Sequence, residues 1–266
     1  MMLLHIRARF HWGYSVKHPF SSKGQPAFAL PPPNTLKGAL LKGLMDNSET
    51  IYTSIKRRKL NLTSSAFLMN FIKAASCRFE YEHNEVASEW LDINRYIVLH
   101  FQKPARRALM EYRFGAIPSG KVLAPHRAFH ALYLIDEDKV KLILGDGWKQ
   151  SLIRSAWSIT RIGSKESIVS VEDVKLNDSW LVKQDVVKTS YYFPSEAKES
   201  IENHNYDEVE FWDDEFGAKK PKPVRYIIPG KVRGFIESDV IKLRLSSKGL
   251  AYTDGENVMV ISRDIT

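Results

Sequence analysis

His5, His11, Tyr112 and Lys165 are the residues of this chain whose types suit proton transfer at a phosphodiester. Metal-independent cleavage of RNA needs a general base for the 2′-hydroxyl and an acid for the leaving 5′ oxygen, and His, Tyr and Lys serve when brought within hydrogen-bond reach. His5 and His11 fall on the polar side of an alternating N-terminal segment, so either could meet a scissile phosphate together with Tyr112 or Lys165. His126 and His130 also share a strand face, with no metal partner evident beside them. No HExxH, P-loop or GxSxG motif occurs, and the single cysteine, Cys77, excludes an internal disulfide and any cysteine-built zinc cluster. No metal or cofactor is expected, and an endoribonuclease is the alternative reading.

Binding asks for less. Arg7, Arg9, His11, Lys17, Lys23, Arg106, Arg107, Arg113, Lys121, Arg127, Arg161 and Lys165 can neutralise phosphates, which gives affinity without reading sequence. Trp12 and Tyr14 stand among these cations and are candidates to stack on unpaired bases, whereas Phe20 and Phe28 are expected in the core. Gly163-Ser164-Lys165 has the composition of a phosphate-approach loop, in which a glycine allows close contact and backbone N–H groups bond oxygens.

Charge is unevenly spread. The chain of 266 residues carries a formal +8, yet residues 1 to 60 alone hold ten Lys/Arg against Asp46 and Glu49. Residues 101 to 133 hold six against Glu111, while residues 196 to 216 hold nine Asp/Glu against Lys198. Such segregation points to a polyanionic partner for the basic part. No apolar run approaches the roughly 18 residues needed to span a bilayer, and the N-terminus is too short and charged for a signal segment, so a cytoplasmic protein is expected, with no membrane partner.

The elements that must position these residues begin with a strand at 2–11, Leu4, Ile6, Ala8 and Phe10 facing inward and His5, Arg7, Arg9 and His11 outward. Pro31, Pro32 and Pro33 stiffen the chain before a helix capped by Asn34 or Thr35, with Leu36, Leu40, Leu41 and Leu44 as its buried stripe. Gly38 and Gly43 inside that helix imply close approach of another backbone. Further helices are predicted at 50–59, 64–74, 137–144 and 148–158, strands at 78–82, 96–102 and 128–135, and one or two strands at 178–193. Residues 103–127 break the pattern and read as a basic excursion between strands. Residues 195–217 read as an acidic surface loop carrying Tyr206, Phe211, Trp212 and Phe216. A basic linker at 219–223 then precedes short strands with turns at Pro229-Gly230 and Asp254-Gly255.

Trp12-Gly13 after the first strand, followed by Pro32-Pro33-Asn34-Thr35-Leu36-Lys37-Gly38, resembles the start of CRISPR-associated protein family five. Arg161-Ile162-Gly163-Ser164-Lys165-Glu166-Ser167 running into Ile168-Val169-Ser170-Val171 resembles that family's glycine-containing segment and last core strand. The resemblance implies an α+β fold: an RRM-like, ferredoxin-like domain at 1–176 with a thumb-like insertion at about 103–127, then a smaller β-rich part at 177–266. It further implies a non-catalytic subunit of an archaeal subtype I-A Cascade. Such a subunit holds the 5′ handle of the CRISPR RNA, caps the backbone subunits and adjoins the large subunit. Family members of subtype I-C process their own precursor RNA, which keeps the cleavage alternative open.

Overall fold

The computed structural model describes residues 1–18, 26–46, 69–80, 87–96, 105, 109, 115–202, 205–212, 223–232 and 234–265. Strand β1 (Met2–Phe10) buries Leu4, Ile6, Ala8 and Phe10, as its alternation predicts. A two-residue strand β2 (Gly13–Tyr14) follows, and the triple proline leads into helix α1 (Pro33–Asp46). The helix starts ahead of the predicted cap at Asn34 or Thr35. The Pro32 carbonyl accepts from the N–H groups of Thr35 and Leu36, and Pro33 suits the first helical position because an N–H there would lack an intrahelical partner. Tyr192 Oη donates to the Pro31 carbonyl at 2.9 Å, which pins the proline run from below. Leu36, Leu40, Leu41 and Leu44 are all buried.

Strand β3 (Ile72–Phe79) corrects the expected helix at 64–74: its last residues, from Ile72, are strand. The segment is buried on both faces, so its apolar run shows no clean period, and pairing with the neighbouring strand decides the outcome. The strand predicted at 78–82 begins earlier, within β3; β4 (Ala87–Tyr96) lies ahead of the strand predicted at 96–102 and shares only Tyr96 with it, and the rest of that strand and the helix predicted at 50–59 lie outside the described residues. Strand β4 forms an antiparallel hairpin with β5 (Gly115–Leu123). Then come β6 (Ala128–Ile135), helices α2 (Glu137–Leu144) and α3 (Trp148–Trp157), and β7 (Val169–Asp178). The central sheet has the order β3-β6-β1-β7 with every pair antiparallel. Its inner face packs on α1 and α3, joining Phe10, Leu36, Leu40 and Leu152 in one core.

After β8 (Trp180–Leu181), β9 (Val186–Thr189), β10 (Phe193–Pro194) and β11 (Lys198–Ile201), the stretch predicted as an acidic loop contains strand β12 (Tyr206–Trp212). It pairs along its whole length with β13 (Pro223–Lys231), and Phe211 is fully buried, which explains an aromatic in so acidic a segment. Pro229 and Gly230 lie inside β13, so no turn forms there; Gly230, at φ 100°, has the Glu237 carbonyl against its α-carbon. The remaining strands are β14 (Phe235–Ser238), β15 (Ile241–Leu245), β16 (Gly249–Thr253) and β17 (Val258–Ser262), with the predicted Asp254-Gly255 turn between the last two. Strand β14 pairs with β4, so the hairpin and the C-terminal strands belong to one sheet. Met259 and Ile261 pack on Leu3, Leu132 and Leu134 and cover one end of the central sheet's outer face. Among the described residues no helix is long and apolar enough to cross a membrane.

Candidate nucleic-acid interface

The segment after β1 and the loop 161–168 hold each other. His11 N–H donates to the Ile168 carbonyl at 3.1 Å, Ser15 N–H to Ser167 Oγ at 3.2 Å, and Trp12 Nε1–H to the Glu166 carbonyl. Ser164 and Ser167 share a hydrogen bond at 2.8 Å across the loop. Gly163 sits at φ 93°, and a β-carbon there would stand 2.6 Å from Val16 Cγ2. The chain's own approach therefore accounts for the glycine, which sequence reading gave to a phosphate. Arg161, Gly163 and Lys165 are exposed, and Ser164 is half-buried.

Strand β2 docks this segment on the hairpin, Gly13 opposite Leu123 and Tyr14 opposite Val122, with Ser15 Oγ donating to the Gly120 carbonyl at 2.8 Å. Lys121 thereby comes to lie 5.8 Å from the centre of the Trp12 ring, a cation–π approach, and 2.6 Å from Asp92. The exposed carboxylate of Glu166 lies nearby; its own N–H and Ser164 hold its pKa down, and Lys165 and Lys121 add to that. Trp12, Lys121 and the 161–168 loop thus meet at the base of the hairpin, from chain positions far apart.

The outer face of β1 differs from the cationic surface expected. Arg7 is clamped by Glu80, Nη2 to Oε2 at 2.6 Å, and also pairs with Glu172. Arg9 Nε donates to Glu172 at 2.7 Å, and its Nη1 to the His126 carbonyl. Two arginines assigned to phosphates are therefore neutralised within the fold. His5 is buried, its Nε2 2.8 Å from His130 Nδ1 and the two rings stacked. Burial lowers the pKa of both imidazoles, with Arg78 adding to it, and brings His130 down to about 4. His5 is consequently closed off from an external phosphate. His11 remains exposed, in contact with Ser170 Oγ at 2.8 Å.

Tyr14, expected to stack, is instead fully buried, its hydroxyl donating to the Ala29 carbonyl. Arg127 is buried too, its guanidinium 5.7 Å from the Phe79 ring centre. Lys17 is exposed, and Phe28 belongs to the core as expected. Lys23, Arg106, Arg107, Tyr112 and Arg113 lie outside the described residues. Sequence reading missed Trp90 and Phe235, which stand 59% and 66% exposed beside this site. Local pattern offers no clear signal for Trp90, because Ala87 to Ile93 does not alternate cleanly and Trp90 shares its strand face with Ser88 and Asp92. Among the described residues, no three His, Cys, Asp or Glu side chains are grouped to hold a metal.

No protein-family model matches the chain. It is 34% identical over 232 residues to the CRISPR system aCascade subunit Cas5 1 of Saccharolobus solfataricus, spanning 86% of this chain and 88% of that relative. A second protein of that organism, CRISPR-associated protein Cas5 3, is 33% identical over the same shares. Among solved structures, a CRISPR protein from Archaeoglobus fulgidus superposes with a TM-score of 0.62 at 19% identity, covering 98% of each chain, a likeness of fold.

Proposed function

The chain belongs to the Cas5 family of CRISPR-associated proteins, and from that premise we propose that it is a non-catalytic subunit of a subtype I-A Cascade. In this reading it grips the 5′ handle of the CRISPR RNA and caps the filament of backbone subunits in the cytoplasm. Membership is supported by the relative named as an aCascade subunit. The observation that carries RNA binding is the meeting of Trp12, Lys121 and the exposed Arg161 and Lys165 at the base of the β4–β5 hairpin. An aromatic face beside cations is what an unpaired strand requires. We read the order β3-β6-β1-β7, with helices on one face, as an RRM-like sheet, and the hairpin as its thumb. The burial of His5 against His130 supports the non-catalytic part, because it removes one of the two N-terminal histidines from reach of a substrate.

Anisotropy titration of the purified chain with a single-stranded RNA of the repeat-derived handle tests the reading. Affinity should fall steeply with salt; Lys165→Ala should lower the log–log slope by about one unit, and Trp12→Ala should cost roughly 1 to 3 kcal/mol with little change in slope. RNA affinity that vanishes at moderate salt, or that is indifferent to both changes, overturns it. The chain alone should leave precursor RNA uncut; cleavage within the repeat that is lost in His11→Ala would establish the endoribonuclease instead.

A further inference from the structure

The hairpin face that carries Lys121 also carries two aromatic rings with no place in the core. Trp90 lies opposite Lys121, and Ser88, Trp90 and Asp92 alternate onto one face of β4. Phe235 of β14 lies opposite Ser88, so it shares that face and stands diagonal to Trp90. Trp90 Nε1–H donates to Ser88 Oγ at 2.7 Å, which draws the indole toward the residue that faces Phe235, and the side chain stays well exposed. Diagonal neighbours in an antiparallel pair are about 7 to 8 Å apart. That is roughly twice the ~3.4 Å rise between stacked bases, the gap that one planar base fills.

We propose that Trp90 and Phe235 clasp one unpaired base of the bound RNA, while Lys121 takes a phosphate beside it; this rests on the RNA-binding reading above. Lys121 has three N–H donors, and Asp92 engages it at one oxygen, so capacity for a phosphate remains. The surroundings favour a nucleic acid over a protein. Ser88 lies between the two rings, Asp92 and Lys121 flank Trp90, the half-buried Leu123 is opposite Ser88, and the exposed Leu91 and Ile93 fall on the opposite face of β4, so the exposed apolar surface of this face is largely that of the two rings. Exposed rings beside a cation suit stacking, which tolerates any base.

The test uses the full chain and the handle as single-stranded RNA with 2-aminopurine placed at one position at a time. One position should be strongly quenched on binding. Trp90→Ala and Phe235→Ala should each release that quenching and weaken binding by about 5- to 100-fold with an unchanged salt slope, whereas Trp90→Phe and Phe235→Tyr should retain both. Both side chains are exposed, so the variants should keep the parent's thermal midpoint. If the alanine variants bind and quench as the parent does while Trp12→Ala weakens binding, the clasp is wrong and the RNA-binding reading stands. If they keep RNA affinity and quenching but no longer co-purify with the backbone subunit, the rings are a protein contact and the inference fails. If the parent binds no RNA, both readings fall.

Discussion

His5 and His130 meet through one hydrogen bond, Nε2 to Nδ1 at 2.8 Å, so one ring donates and the other accepts in the neutral pair. Around them stand Arg78 from β3, Asp173 and Lys175 from β7, Asp254 from the β16–β17 turn, and Glu80 3.5 Å from His130 Nε2. Burial outweighs the carboxylates, and His130 titrates at about 4 in the fold against about 6.5 in an unfolded chain. Between those values the unfolded state binds the extra proton, so this pair should lose stability progressively as pH falls from about 6.5 toward 4 and should have no effect above that window. The thermal midpoint of the parent is therefore expected to drop between about pH 7 and pH 5, and His130→Gln should flatten that part of the curve. An identical acid dependence in the variant would assign it to other groups. The same burial explains why His5 misled a reading by residue type: alternation places it on the outer face of β1, but alternation says nothing of the C-terminal strands that cover that end of the sheet.

At the scale of elements, the two glycines of α1 separate cleanly. A β-carbon on Gly43 would stand 2.6 Å from Ser155 Oγ and 2.8 Å from the Ser155 carbonyl, because α3 crosses there and Ser155 Oγ donates to the Leu40 carbonyl. Gly38 has nothing within 4 Å. Gly38→Ala should therefore raise stability by about 0.5 to 1 kcal/mol, while Gly43→Ala should lower it by roughly 1 to 3 kcal/mol through overpacking. Denaturant midpoints check both; equal gains in the two variants would mean that α1 and α3 do not cross as described. Local signals were readable where they decide the outcome. Helix α2 carries its own start and stop, Asp136 Oδ1 accepting from Lys139 N–H and the Gly145 N–H returning to the Lys141 carbonyl, and its bounds match those predicted. Strands β3 and β12 exist because distant partners pair with them, and neither composition nor period reveals a partner. The site follows the same rule. Trp12 and the 161–168 loop draw attention by residue type, although Gly163 answers to Val16 of the chain itself, while Trp90, Phe235 and the ion pairs of Arg7 depend on register.

For the whole molecule, segregated charge in the sequence becomes partly mixed charge in the fold. The acidic segment's carboxylates find cations within the chain: Glu196 with Lys248, Glu202 with Lys242, Glu208 with Lys198, and Glu210 with Arg225. These pairs lie at the surface, with only Lys198 mostly covered, and each is worth about 1 kcal/mol or less, so their effect is on the surface potential more than on stability. Strand β12 is joined through β13 and β14 to the hairpin, so an acidic edge and the proposed RNA site occupy one sheet with β13 between them. RNA drawn to the basic side should be kept from running along β13 by the carboxylates of Glu208 and Glu210, both on the face of β12 opposite the buried Phe211. Reversing Glu208 and Glu210 to lysine should then leave handle affinity no weaker and lower the thermal midpoint only slightly. It should also raise affinity for a long unrelated single strand, with a salt slope steeper by one or two units, because the added cations recruit extra phosphates. A loss of handle affinity in that variant would place the acidic edge inside the binding site and reverse the orientation proposed for the RNA.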